Sequence, residues 1–500
     1  MHRTRREPRK RKLNFSSSSG SSWIRSSERG CPAALGSTRP QSNASCGKRS
    51  PRSGGSGRRT MNRLEFHTDE DDIPDDDADG SIHVYLYGSR PKRAGTASIG
   101  RTLDLAVRRL GVGVDPEAFD FLSIALGVIA ADTFVDRSSH SGNGWSREVE
   151  LQIPLARPAR WQAVTGELEQ ALSFLSGDQW KLHFTAGGKE PPSKETILRH
   201  HRSHIGIGSA DCVCLFSGGL DSLIGAHQLV DQGRTPLLVS HSYRGDQSYQ
   251  RHLVPRLGKK LPRFAANANP VFSGPNINDT SMRTRSLGFL AYGVVAASAL
   301  RAKKRSASPI ALFVPENGFI ALNAPLTRRR IGSHSTRTTH PRFLGQMQSL
   351  FDTMNLPVHI ENPYRHKTKG EMLVDLAPGE ELKGTTVATV SCGKWKRKSQ
   401  QCGHCVPCLI RRAAFAKAGI ADTTPYQYTD LGHVWDRPDI RDDIMAMLVA
   451  VGRDHRGARQ RAIAGGALPF DAVERKGWFG VHERGLEEVG AYLRSQGLGT

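Results

Sequence analysis

After about residue 205 the chain alternates between short apolar runs and stretches with apolar residues at helical spacing. Val213–Phe216 is a continuous apolar run. The polar stretch Ser217–Ser222 follows, reading SGGLDS. Leu220, Leu223, Ile224, Ala226, Leu229 and Val230 then recur every three or four positions, and Gly233 stands where a helix would be capped. The pattern predicts buried strand, tight loop and helix. Strands are predicted again at Pro236–Ser240, Ile310–Val314 and Val358–Ile360, and helices at Arg285–Arg301, Phe343–Met354 and Lys369–Leu376. Strands that alternate with helices imply an α/β domain, here 205–390, with a parallel sheet covered on both faces. Ligands of such sheets bind beyond the carboxyl ends of the strands, which places SGGLDS, Ser240–Tyr243, Glu316–Asn317 and Asn362–Lys369 on one rim.

Upstream, His83–Tyr87 and Glu148–Leu155 alternate as strands, Ala118–Asp132 and Trp161–Leu175 read as helices, and Trp180–Phe184 as a further strand. These give an α+β domain over 80–195, with Gly187–Pro192 as the way out. Asp132 and Arg137 read as structural. Downstream, 391–430 is a cysteine-bearing element and 431–500 a helical extension, including Asp439–Val451 and Gly485–Ser495.

Composition adds a correction to first impressions. The net charge of +22 suggests a nucleic-acid partner, but residues 1–60 hold 15 Lys/Arg against 2 Glu, so +13 sits in that stretch. It has too few apolar residues to fold and no apolar core of a secretory signal, and it reads as a disordered basic tail or as sequence upstream of a start at Met61. Residues 61–79, with the acidic run Asp69–Asp79, read as a linker. No stretch of 18 apolar residues exists, so no membrane partner is expected.

The loop Ser217–Ser222 suits an anion. Its two glycines allow close backbone approach, and the following helix offers unpaired N–H groups and a positive dipole end. Asp221 would repel a bare phosphate and makes sense as a partner of Mg²⁺ or of a ribose hydroxyl. Of eight cysteines, Cys392, Cys402, Cys405 and Cys408 fall in 17 positions as C-x9-C-x2-C-x2-C. That is metal spacing, and it points to a reducing, cytoplasmic setting. Four thiolates close a tetrahedral shell around Zn²⁺ of a structural kind; an iron–sulfur cluster is the competing reading, and His404 is a spare ligand. Cys212 and Cys214 read as core residues.

SGGLDS resembles the PP-loop of the ATP pyrophosphatases. The cysteine element, followed by Arg411, Ala414–Phe415, Ala418–Gly419 and Asp422, narrows the resemblance to 7-cyano-7-deazaguanine synthases, over roughly 205–430. Arg285–Ser286 with Phe289–Leu290, and Lys367 with Lys369, fit between these landmarks. The domain 80–195, the extension after 430 and the segment Glu316–Phe343 depart from the shorter housekeeping enzyme. In this longer plan the chain looks like the deazaguanine-synthase-like component of the Qat anti-phage defence system.

The resemblance implies an adenine nucleotide alpha hydrolase-like fold and an ATP-dependent carbon–nitrogen ligase with ATP, Mg²⁺ and Zn²⁺. The acid 7-carboxy-7-deazaguanine would be adenylated, and an amine would capture the adenylate. The product would be an amide or nitrile, or a conjugate with a protein acceptor from the same defence operon. Ser217, Gly218, Gly219, Leu220 and Ser222 would hold phosphates, Asp221 would place Mg²⁺, and His241 would face the adenine. Arg283 or Arg285 would bind phosphate or pyrophosphate, and Lys369 would join Asp221, Ser222 and Arg285 in the chemistry. The loop Arg328–Arg330, with Arg337 and His340, is either a solvated face or a phosphate contact; His334 and His340 are candidate bases. Glu316–Asn317 binds Mg²⁺ or starts a turn. The rivals are a tRNA-modifying PP-loop enzyme (thiolase or lysidine-type ligase), the housekeeping synthase of queuosine biosynthesis, and a non-enzymatic scaffold. Nucleic acid is admitted as a partner but not favoured.

Overall fold

The computed structural model describes residues 62–74, 80–89, 91, 93–141, 145–199, 201–243, 245–274, 283–327, 337–376, 380–394, 400–453, 457, 460–461, 463 and 468–499. The readings of the basic tail, Arg328–Arg330 and His334 lie outside the described residues.

Two sheets carry the fold. The first contains β1 (Asn62–His67), β2 (Ile82–Leu86), β3 (Ala97–Ile99), β4 (Glu148–Pro154) and β5 (Gln179–Thr185). The second contains β6 (Cys212–Leu215), β7 (Pro236–His241), β8 (Arg263–Ala266), β10 (Ile310–Phe313) and β11 (Val358–Glu361). The strand orders are β5-β4-β1-β2-β3-β9 and β11-β10-β6-β7-β8. Apart from the short β9 (Val271–Phe272), which pairs antiparallel with β3, every ladder is parallel. Both sheets therefore start centrally, wind one way for three strands, then cross back for two.

The first sheet corrects two expectations. It is a parallel α/β sheet, not α+β, and its central strand β1 lies inside 61–79, the span expected to be a linker. The reason is visible in β5, whose residues alternate exposed and buried along its length. Helices cover one face of this sheet, so its strands alternate as antiparallel strands usually do.

Between the sheets lie α1 (Pro116–Phe134) and, further along the chain, the long helix Arg285–Lys304. Both are apolar on nearly every side, the mark of a fully enclosed helix. They touch each other closely: a Cβ on Gly288 would stand 2.5 Å from Ile129 Cδ1. One apolar core runs from Leu64 and Leu151 through Phe121 and Val295 to Val213 and Val358. Numbering on in chain order, α2 is Thr165–Ser176, α3 Leu220–Asp231, α4 Asp246–Leu253, and α5 is Arg285–Lys304 itself. Then come α6 (Pro341–Thr353), α7 (Lys369–Leu376), α8 (Val406–Lys417), α9 (Asp442–Val451) and α10 (Ala472–Ser495). Among the described residues no helix is long and apolar enough to cross a membrane.

A buried ionic cluster fixes the start of α5. Arg137 grips Asp178 with both ends of its guanidinium at 2.6 and 2.7 Å, and Arg147, fully buried, bridges Asp178 and Asp132 at 2.8 and 2.7 Å. The second oxygen of Asp132 accepts from the Thr284 amide and hydroxyl at 2.9 and 3.0 Å. Two cations against two anions leave the cluster neutral, as burial demands.

Candidate functional site

The loop SGGLDS leaves the carboxyl end of β6 at the point where the second sheet reverses its winding, between β6 and β10. Gly218 takes φ +82°, and a Cβ there would meet Tyr249 of α4 at 2.5 Å, so only glycine fits. Gly219 caps α3. The Ser222 hydroxyl accepts from the Gly218 amide at 3.1 Å and donates to the Gly219 carbonyl at 2.9 Å, while the Gly219 amide donates to Ser217 Oγ at 3.2 Å. The loop is thus braced by its own hydroxyls, which occupy the amides of Gly218 and Gly219. The first amides of α3, from Leu220 onward, have no carbonyl one turn back. Gln250 of α4 secures the base by donating to the carbonyls of Ser217 and His241 at 3.1 and 3.3 Å.

Asp221 points beneath the loop. One oxygen receives the Lys369 ammonium at 2.5 Å, and the other receives the side-chain and backbone N–H of Asn317 at 2.7 and 3.2 Å. Burial works to raise its pKa, but Lys369 and the donors from Glu316 and Asn317 outweigh it and hold the carboxyl at about 2. Glu316 is driven the other way, well above its ordinary value, by desolvation and by the Asp221 charge beside it. Its residue surface is partly exposed, yet its carboxyl sits among protein atoms beside the paired Asp221 and Lys369. Asn317 also starts a turn, its side chain accepting from the Ile320 amide at 3.0 Å.

Lys369 opens α7, and α10 clasps that opening. Glu488 accepts from the Gly370 amide at 3.0 Å and the Thr368 hydroxyl at 2.7 Å, capping the helix that carries Lys369. Arg484 reaches Glu371 at 2.6 Å and the His366 carbonyl at 2.7 Å.

Cys392, Cys402, Cys405 and Cys408 converge as a buried cluster. The Cys402–Cys408 and Cys392–Cys405 sulfurs are 3.9 Å apart, close to the ~3.8 Å edge of a tetrahedron with 2.3 Å Zn–S bonds. Sulfurs this close surround one ion rather than the larger cage of a cluster. The amides of Lys394, Cys402 and Cys405 donate to cysteine sulfurs at 3.3 Å, which suits thiolates. The residues therefore fit Zn²⁺ with no open position. His404 is no ligand; it packs edge-on to Tyr428. The element leans on the loop, since the Val390 amide donates to the Gly218 carbonyl at 3.3 Å. Arg411, fully buried on α8, ties Thr386, Thr389 and Thr424 together.

The remaining expected residues divide. His241 ends β7, buried against Tyr243 and Tyr292. Arg285 pairs with Asp246 at 3.3 Å. Arg283 is turned into the protein, over the Trp145 ring and bonded to the Ser176 carbonyl at 3.0 Å, so it is a structural residue. His340 is likewise no free base: it is buried and caps α6 through Nδ1. Sequence reasoning missed Glu488 and Arg484, for which a helical extension without a motif gave no signal.

The family described as "Queuosine biosynthesis protein QueC" matches residues 338–419, a segment that contains Lys369 and the four cysteines but not the loop. Curated 7-cyano-7-deazaguanine synthases of Brucella ovis, Brucella canis and Brucella suis are each 40% identical over 68 residues, 14% of this chain. The match spans 27% of the length of those relatives. No solved structure matches the chain significantly.

Proposed function

We propose that the chain is a deazaguanine-synthase-like ligase that uses ATP to activate a 7-deazaguanine carboxylate. What supports this most is one juxtaposition. A glycine loop at the sheet's switch point stands over a buried Asp221–Lys369 pair, and Lys369 comes from the segment that resembles those synthases. In the proposed reaction a carboxylate oxygen of 7-carboxy-7-deazaguanine attacks the α-phosphorus of ATP, and the bond to the β-phosphate oxygen breaks. The first amides of α3, from Leu220 onward, and the α3 dipole receive the phosphates. Asp221 serves as anchor for Lys369, whose ammonium offsets negative charge near the loop, and Mg²⁺ would enter with the nucleotide and screen its phosphates. An amine then attacks the acyl carbon, AMP departs and the amine loses a proton. The amine is ammonia or a group on a protein acceptor, the latter in keeping with a role in anti-phage defence.

The experiment is product analysis. Zinc-loaded protein, ATP and the deazaguanine acid should yield AMP and pyrophosphate. ADP and orthophosphate would overturn the reading, and stimulation by tRNA rather than by the acid would replace the substrate. A deazaguanine mass on a co-purified partner would identify the acceptor.

A further inference from the structure

The first sheet carries chemistry that the adenylation reading does not use. Its uncovered face presents Arg63, Glu65 and His67 from β1, His83 from β2, Glu150 and Gln152 from β4, and Lys181 and His183 from β5. The β1–β2 register sets Glu65 opposite His83, and side chains two apart on one strand share a face, which adds His67. His67 Nε2 lies 3.0 Å from His83 Nδ1, and Glu65 Oε2 lies 3.8 Å from the same nitrogen. All three candidate ligand atoms fall within 4.8 Å of one another.

From this geometry we infer a divalent transition-metal site formed by Glu65, His67 and His83 on the open face of the first sheet. Two ligands at about 2.0–2.1 Å from a shared tetrahedral ion stand about 3.3 Å apart, and the 3.0 and 3.8 Å separations bracket that value. Two imidazoles and one carboxylate suit Zn²⁺, Co²⁺ or Ni²⁺ rather than Mg²⁺ or Ca²⁺, which prefer oxygen. Glu65 is oriented for the task, because Arg63 holds its other oxygen at 2.8 Å and is itself braced by Gln152. Asp72, from the acidic stretch after β1, adds negative potential at His67. His83 is buried while His67 and Glu65 are partly exposed, so an ion there has protein on one side and solvent positions on the other. The ion would clip β1 to β2.

The site is independent of the four cysteines, and metal counting tests it apart from activity. Full-length protein is stripped with chelator, reloaded with Zn²⁺, dialysed and analysed by atomic emission. We expect two zinc ions per chain, falling to one in His67→Gln/His83→Gln. With Co²⁺, the thiolate charge-transfer band should persist in that variant while the remaining d–d absorption falls. Glu65→Gln should keep the fold and weaken the second site by at least tenfold. One zinc per chain in the unmodified protein, or two that survive in the double variant with an unchanged circular dichroism spectrum, would overturn the assignment.

Discussion

Replacing Lys369 by Met probes the centre of the candidate site without changing its volume much. Lys369 and Asp221 are both nearly buried, their side chains 4% and 6% exposed, so neither charge has water to fall back on. Removing one partner of such a pair costs about 3–5 kcal/mol, because the other charge stays behind uncompensated. Here Asp221 keeps the two N–H groups of Asn317, which places the expected loss near the lower limit, about 3 kcal/mol. Asp221→Asn alone strands a buried ammonium. The double variant, neutral on both sides, should lose clearly less than the two single losses combined, with a coupling energy of about 2 kcal/mol. The assay is urea unfolding of the four proteins followed by tryptophan fluorescence. Single losses that add to the double within about 0.5 kcal/mol would refute a direct, desolvated pair. Acid supplies a check of sign. The folded-state pKa of Asp221 lies below its unfolded value of 3.8, so its contribution is present above pH 3.8 and is lost as pH falls toward about 2.

Four further outcomes are expected. Cys405→Ser should release zinc to a colorimetric chelator and lower the melting temperature, and the intact protein should melt lower as chelator is added. Gly218→Ala should destabilise by more than about 1 kcal/mol, since φ +82° and Tyr249 both oppose a Cβ, whereas Gly219→Ala, with an ordinary φ of −76°, should be milder in the same unfolding assay. Burial, aided by Arg337 and Arg342, pushes His340 down to about 3, so its neutral form stabilises the fold above pH 6.5. About 2 kcal/mol of that should be lost by pH 5, and His340→Asn, which keeps the cap, should flatten the melting temperature between pH 7 and 5. Glu488→Ala leaves the Gly370 amide and Thr368 hydroxyl unpartnered, at about 1–3 kcal/mol, and should lower kcat for AMP formation more than it raises KM; Glu488→Gln should recover much of both.

Much of the second sheet was legible because its central strands β6 and β7 are fully buried, so each is a short apolar run bounded by helical spacing. Lys369–Leu376 is a helix at its expected bounds, and Cys392, Cys402, Cys405 and Cys408 meet as their spacing implied. The first sheet was misread for the opposite reason. With one face open, its strands alternate, and β1 contributes only Leu64 and Phe66 to the core beside a run of acids. At the site, SGGLDS announced a loop but not the direction of its carboxylate. That Asp221 turns down to Lys369, and that Glu488 steadies the start of the Lys369 helix from far along the chain, depends on tertiary packing that no local pattern encodes. Arg283 and Arg285 are alike in sequence, yet only the first turns inward, to the Ser176 carbonyl and the Trp145 ring, while the second pairs with Asp246.

The close seam between α1 and α5 has a consequence for anyone wishing to trim the chain to the compass of its shorter relatives. With α1 gone, α5 would turn an unbroken wall of Leu, Val and Ala toward water, and the loop-bearing sheet would lose its inner lining. A fragment starting at residue 205 should therefore be recovered as aggregate, whereas co-expression with residues 62–199 as a separate chain should return it to solution. The first sheet is not an accessory hung on a finished domain; it is half of the roof under which the other half folds.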